Sequence, residues 1–361
     1  EMSKARQLAQ KPSQPTGRKN IIINGGMTVD QRNETKTSSG FSLDRVYVNF
    51  GTVTAALSAV QSTEAPAGFA NSLKIACTTA DTSLGVSEAV NPQWRIEGQD
   101  LQQLQKGSSG ARPVTLSFWV RSSKTGTYVF ELKDQDNTRN ISKAFTVDTA
   151  DTWEKKEIVY EGDTTGAFDN DNNNSLSLIL WMVAGTTYSS GTLQTSWGAQ
   201  TQANRAVGVV NFVDSTSNDF YITGVQLEVG STATDFEHRS YNEEVDLCRR
   251  YCQRLDASRV NALHFGRGWD GTTAQITLPL FRELRSDGVS HDGNGSLTKY
   301  GDMAVNAYAS NGNNITGFSN FTTSGAIVTM LATLSSSVTA GGNTLWWSMD
   351  NDAYFIIEDE L

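Results

Sequence analysis

The stretch PVTLSFWVRSSKTGTYVFELKD, residues 113–134, constrains the fold more than any other part of the chain. Leu116, Phe118 and Val120 alternate with polar neighbours, the period of a strand buried on one face. The second run, GTYVFELKD, follows after a Lys-Thr-Gly turn. The same alternation returns in Tyr221, Thr223, Val225 and Leu227. Further strand-like runs are Ile21–Ile23, the pattern Phe41, Leu43, Val46 and Val48, SLKIAC at 72–77, KKEIVYEG at 155–162, SLSLILWMV at 175–183 and GVVNFV at 208–213. Many short strands broken by Gly, Asn and Asp turns predict a jelly-roll β-sandwich. Composition agrees: 31 Gly against only 6 Pro suits twisted strands joined by polar turns.

At 361 residues there is room for two domains with separate cores. Ser240 and Glu243 form an S-x-x-E capping box ahead of an apolar period. Acids Glu243, Glu244 and Asp246 precede Arg249, Arg250 and Arg254, the order the helix dipole favours. ITLPLF at 276–281, MAVNAYAS at 303–310, GAIVTMLATL at 325–334 and DAYFIIEDEL at 352–361 read as strands again. The expected fold is therefore mainly β: a jelly-roll sandwich over 20–237, a connecting helix over 238–255 and a second, smaller β-sandwich domain over 256–361. Residues 1–19 are basic through Lys4, Arg6, Lys11, Arg18 and Lys19, and Pro12 and Pro15 interrupt them. They predict a flexible arm that orders on a partner.

A formal net charge of −10 argues against a nucleic-acid partner, because the surface repels phosphate backbones. No apolar run approaches the roughly 20 residues of a membrane span, and no signal-peptide core opens the chain, so no membrane insertion is expected. Three cysteines, Cys77, Cys248 and Cys252, are too few for a disulfide framework and point to folding in a reducing cytoplasm.

NIIINGGMTVDQRN at 20–33, GFSLDRVYV at 40–48, QWRIEGQDLQQL at 93–104, PVTLSFWVRSSKTGTY at 113–128, TWEKKEIVYEGDTTG at 152–166 and FYITGVQLEVGSTATDFEHRSYNEEVDLCRRYCQR at 220–254 resemble a module of bacteriophage tail-fibre proteins. There a carbohydrate-binding-module-like jelly roll closes with a G-x-Q-L-E-x-G strand followed by an F-E-x-R-S-Y-x-E-E helix. Val46 departs from the pattern, which often places Trp there. The resemblance implies a virion structural protein assembled in the host cytoplasm, foremost a homotrimeric tail fibre with affinity for host-surface glycans. Residues 1–19 would dock it to other virion proteins. A head-decoration or capsid-fibre protein is the alternative within that class, and a glycan-degrading enzyme the rival outside it.

No H-E-x-x-H, C-x-x-C or G-x-S-x-G motif surrounds His238, His264 or His291, so an enzyme is not expected. Glycan sites pair an aromatic platform with amide, carboxylate or guanidinium groups. One candidate cluster is Trp94 with Gln93, Arg95 and Gln99; the preferred one is Trp181, Tyr188 and Trp197, the last within a long polar loop. Trp119 and Trp153 are expected in the core. Val245, Cys248, Cys252 and Leu255, spaced three, four and three, form either a trimer seam or a stripe on the flank of their own jelly roll, and the seam is preferred. Asp169, Asp171 and Asn173 offer oxygens to Ca²⁺, the one cofactor considered, although a polar hairpin loop explains them as well.

Overall fold

The computed structural model describes residues 18–256 continuously, then 264–270, 273–282, 285, 290–291, 303–307, 310–324, 327–334, 344–349, 354–358 and 360. The first unit is a sandwich of two antiparallel sheets. One runs β1 (Gly40–Leu43), β2 (Val46–Asn49), β5 (Ala89–Glu97), β10 (Asn174–Trp181), β7 (Gly126–Asp134), β8 (Arg139–Val147) and β12 (Gly198–Ala199), with β11 (Val183–Ala184) joined to β5. The other runs β3 (Ala56–Ser62), β4 (Ser72–Thr79), β13 (Asp219–Val229), β6 (Val114–Ser122) and β9 (Glu154–Tyr160). Two short helices follow in chain order, α1 (Thr186–Ser189) and α2 (Tyr241–Cys248).

The alternation read from the sequence places the core. Leu116, Phe118 and Val120 of β6 face Phe130 and Leu132 of β7 across the sandwich, and all are buried. Phe118 meets Phe130 edge-on at 4.8 Å and Phe145 at 4.9 Å, geometry that aromatic quadrupoles favour. GVVNFV does not form a strand: Phe212 and Val213 are buried in the core, but from a turn-rich segment. Ile21–Ile23 is not a strand either.

Instead the NIIINGG stretch is laced to β13. Asn20 accepts hydrogen bonds from the backbone N–H of Ile22 at 3.0 Å and Leu227 at 3.1 Å, and donates to the Val225 carbonyl at 3.0 Å. Gly25 must approach even closer, because a Cβ there would lie 2.1 Å from the Val225 oxygen. This contact sits at a bulge in β13 between Thr223 and Gln226, where Gly224 takes φ +62 beneath Phe69 and Trp119.

The capping box on Ser240 and Glu243 is formed, but α2 ends at Cys248. Cys252 opens β14 (Cys252–Asp256), which pairs with β22 (Tyr354–Glu358), Leu255 opposite Phe355. The helical seam expected through Val245, Cys248, Cys252 and Leu255 is thus corrected. Val245 and Cys248 pack with Ile23, Val29 and Tyr251 of the same chain, and Cys252 is fully buried. Burial pushes the Cys248 thiol well up, as for a small apolar group. The remaining strands are β15 (His264–Asp270), β16 (Thr273–Pro279), β17 (Ser290–His291), β18 (Met303–Ala307), β19 (Ser310–Ser324), β20 (Ile327–Leu334) and β21 (Thr344–Met349). They form one antiparallel sheet in which β19 pairs with both β18 and β20, closing six strands into a ring.

Of the basic arm, residues 1–17 lie outside the described residues. Lys19 belongs to the body: its ammonium donates to Thr234 at 2.6 Å and to the Asp235 carbonyl at 2.5 Å.

Replacing Gly25 by alanine should push the N-terminal lacing off β13. A loss of about 1–3 kcal/mol in chemical denaturation is expected, the usual scale of overpacking. An unchanged midpoint would show that this approach is not tight.

Glu97, at the end of β5, holds the turn after α2. It accepts from Arg250 at 2.8 and 2.9 Å and from the Tyr251 hydroxyl at 2.5 Å. Burial alone would push its carboxyl up; the bonds from Arg250 and Tyr251 outweigh that and hold it below the ordinary glutamate range. A lowered folded pKa gives stability that is complete above the unfolded value and lost as pH falls through the folded one. Asp44, pushed up by burial, acts in the opposite sense and weakens the fold as pH rises through its raised value. The Glu97 share is therefore read as a difference: Glu97→Gln should be less stable at neutral pH, with the gap to wild type closing in acid. A gap independent of pH would contradict it.

Candidate functional site

Strand parity decides what the eight-stranded sheet shows on its outer face. In β5, Val90, Trp94 and Ile96 belong to the core, so Asn91, Gln93 and Arg95 point outward. In β7, Phe130 and Leu132 point inward, leaving Glu131 and Lys133 outside; in β8, Ile141 points inward and Asn140 and Ser142 outward. Register then aligns two rows across the sheet. One is Tyr47, Gln93, Ile179, Glu131 and Ser142; the next is Arg95, Ser177, Lys133 and Asn140.

Part of this face is covered by the segment 184–209, and a buried carboxylate holds the cover. Glu131 has no solvent exposure and accepts from Arg205 at 2.9 and 3.0 Å and from the Trp181 indole at 2.8 Å. The Arg205 guanidinium lies 4.9 Å over the Trp181 ring and 5.9 Å from Tyr188, with the two rings 5.1 Å apart. The structure thus brings Trp181 and Tyr188 together, but Trp181 is only 2% exposed and cannot serve as a platform. Tyr188 is half-buried beside it.

The other predicted tryptophans are placed elsewhere. Trp94 is 1% exposed on the inner face, a core side chain, whereas its neighbour Arg95 points outward. Trp197 is half-buried against the core: its indole donates to the Glu161 carbonyl at 2.8 Å, and Lys106 sits 5.5 Å over its ring. Trp119 and Trp153, expected inside, are half-exposed beyond the five-stranded sheet, Trp153 lying 6.3 Å from Tyr221. Asp171 holds its own loop, accepting from the Asn173 backbone at 3.0 Å and from its side-chain amide at 2.5 Å. Asp169 is exposed, and its backbone N–H donates to Asp136 at 3.0 Å. Among the described residues no group of three or more His, Cys, Asp or Glu is placed to hold a metal ion.

The part of the face away from Arg205 has a different character. Arg95 stacks on the half-buried Tyr47 at 4.1 Å, and Phe41 meets Tyr47 edge-on at 5.3 Å. Beside them Asn49 and Gln93 donate to Asn91 at 3.2 and 2.7 Å. Toward β8, where Gln194 and β12 of the covering segment run against the strand, enclosed polar groups lack partners. Both side-chain atoms of Asn140 and the Ser142 hydroxyl are buried without a hydrogen bond among the described residues. Buried polar groups are nearly always satisfied, by water or ligand if not by protein. The parity of GTYVFELKD carries the signal for Glu131 and Lys133, and the parity of QWRIE the one for Gln93 and Arg95. An open groove of about 570 Å³ also runs between α2 and residues 30–33. It is lined by Asp30, Asp246, Arg249 and Arg254, and Asp246 and Arg249 pair with one another at 3.1 Å.

No protein-family model matches the chain, and no curated protein matches it. Solved structures do. The enzymatically active domain of tailspike protein 4 of bacteriophage CBA120 is 14% identical with a TM-score of 0.31, over 58% of this chain and 21% of that one. The match thus spans about a fifth of the tailspike chain. A family 11 carbohydrate-binding module of a Clostridium thermocellum cellulase is 12% identical with a TM-score of 0.28, covering 56% of this chain and 98% of the module. A xylan-binding domain from Paenibacillus barcinonensis is 12% identical with a TM-score of 0.27, covering 60% of this chain and all of that domain. These likenesses assign neither a ligand nor an assembly; the β-sandwich itself is defined by this chain's own strand pairing.

Replacing Glu131 by alanine should leave the Arg205 guanidinium buried without its partner. Breaking one side of such a pair costs about 3–5 kcal/mol, so a large fall in melting temperature is expected. A variant as stable as wild type would mean that the segment 184–209 is held by other contacts.

Proposed function

We propose that this protein is a phage virion structural protein, a tail fibre, that binds host-surface glycans on the outer face of its eight-stranded sheet. One observation carries the binding reading. A strip of amides and a guanidinium, the half-buried Asn49, Gln93 and Arg95 with the buried Asn91, lies beside the aromatic pair Phe41 and Tyr47. Sugars offer apolar C–H faces to rings and hydroxyls to amides, so this combination matches their chemistry. The virion reading is supported by the sequence resemblance over residues 20–254, and the homotrimer comes with it. Since Val245 and Cys248 are buried within one chain, the trimer contact is proposed to lie away from that stripe.

Binding rather than cleavage is proposed for this face. A glycosidase needs a carboxyl group free to exchange protons with the glycosidic oxygen. Glu131 is enclosed by Arg205 and Trp181, and Glu97 by Arg250 and Tyr251.

Binding of the purified protein to surface polysaccharide from candidate host cells tests this reading. Tyr47→Ala should weaken binding about two- to tenfold, the scale of one aromatic contact, with an unchanged melting temperature. Native mass should give three chains, and incubation should release no reducing sugar. Full binding by Tyr47→Ala would move the site off this face.

A further inference from the structure

We infer that the groove between α2 and residues 30–33 is a second carbohydrate site, which takes a short neutral oligosaccharide. It lies apart from the face proposed above and does not depend on it.

The groove holds about 570 Å³, within the roughly 300–1,000 Å³ of small-molecule sites. One wall is α2, eight residues and so about 12 Å long. The other is the turn that carries Asp30, Gln31 and Asn33. Both walls are fixed. The capping box anchors the start of α2, and Glu244 ties the helix to Arg239 and to the Asn24 backbone. Gln31 pins the turn: its backbone N–H and its side-chain amide donate to Asp44 at 2.7 and 2.6 Å. The same amide donates to the Cys252 carbonyl at 2.7 Å and accepts from the Arg254 N–H at 3.2 Å. Gln31 thereby takes the backbone groups of β14 that an added peptide strand would need, so the groove does not suit an extended peptide.

The groups left open match a sugar. Tyr241 is 62% exposed, and its ring can stack on the C–H face of a pyranose. Arg249 lies 4.2 Å over the Phe281 ring and donates to Asp246 at 3.1 Å, while its buried Nε bonds to no described residue. Asp30 accepts at Oδ1 from the Asn33 N–H at 2.8 Å, which leaves Oδ2 to accept from a hydroxyl. Asn33 and Asn242 are exposed, and each amide carries donors and an acceptor. Charge then selects the class. The lining carboxylates Asp30 and Asp246 balance the guanidiniums Arg249 and Arg254. A polyanion is opposed by the first pair and a polycation by the second, and an apolar ligand would strip water from all four. Sugar hydroxyls donate to carboxylates and accept from guanidiniums, so a neutral sugar uses both signs at once.

The test is calorimetry of the full chain with cellotetraose, maltotetraose, xylotetraose and mannotetraose, with tetragalacturonate as the anionic control. At least one neutral tetrasaccharide should bind, and more tightly than the galacturonate. Tyr241→Ala should weaken that binding about two- to tenfold with an unchanged melting temperature, and Tyr241→Phe should keep most of it. Asp30→Asn, which retains the bond from Asn33 and removes the charge, should weaken it as well. Repeating the titrations with Tyr47→Ala separates the two sites. Binding lost with Tyr47→Ala and kept with Tyr241→Ala leaves the sheet face standing and overturns the groove; the reverse leaves the groove standing alone. No binding of any neutral tetrasaccharide, or tighter binding of the galacturonate, overturns the inference. So does a native mass that falls with Tyr241→Ala, since the groove would then be a contact between copies.

Discussion

A carboxylate without solvent exposure is tolerated only where cations and donors surround it, and this chain uses that constraint repeatedly. Glu131, bonded also by Trp181 of β10, fastens the segment 184–209 through Arg205. Glu97 fastens the turn after α2 through Arg250 and Tyr251. Glu244 accepts from Arg239 at 3.2 Å and from the Asn24 backbone, joining the helix to the NIIINGG stretch. Lys106 meets Asp134 at 2.5 Å and Asp163 at 3.2 Å, holding two loops at one end of the sandwich. In each case a segment that is not a strand is attached to the sandwich by charge. Replacing such pairs by apolar residues is often neutral for stability, so their use here is one of placement: each allows one docking position and penalises the others.

That division explains what could be read in advance. Alternation in TLSFWV and in YITGVQLEV is local, and it located these strands and the core of the β-sandwich correctly. The covering segment 184–209 has no period, because a charge pair and not a strand ladder positions it. Trp181 therefore offers a platform in the sequence, at the end of a strand, and is a sealed anchor in the fold. Trp94 and Arg95 were grouped as neighbours in sequence, yet the parity of QWRIE sends them to opposite faces. The end of α2 was the hardest boundary. The acidic-to-basic pattern from Glu243 to Arg254 continues as though the helix did, but Arg250 and Tyr251 turn to Glu97 and Cys252 enters β14 opposite Glu358. Those partners are distant in sequence.

The two outer faces of the sandwich differ in a way that bears on function. Beyond the five-stranded sheet, Lys74 and Arg121 flank Tyr221 at 5.4 and 5.2 Å and pair with Asp219 and Glu64, so the charges are matched. On the eight-stranded sheet the row from Arg95 to Asn140 carries cations and amides with no carboxylate among them. Under the proposed reading, preorganised groups on that face would lose little on binding.

The pairing of Arg45 with Glu360 has a consequence for how the protein is made. Arg45 stacks 3.5 Å over Tyr251, is almost fully enclosed, and meets a carboxylate 315 residues further along the chain. Arg32 meets the same carboxylate at 3.1 Å. During synthesis the sandwich emerges first, at about 5–20 residues per second, and Arg45 waits tens of seconds for the Glu360 carboxylate. A ribosome-bound chain lacking that segment therefore holds Arg45 over Tyr251 without the Glu360 carboxylate, while Arg32 still faces Asp44. Arrival of Glu360 completes the pair, so the finished state of this molecule is registered electrostatically, at the meeting of an early and a late part of the chain.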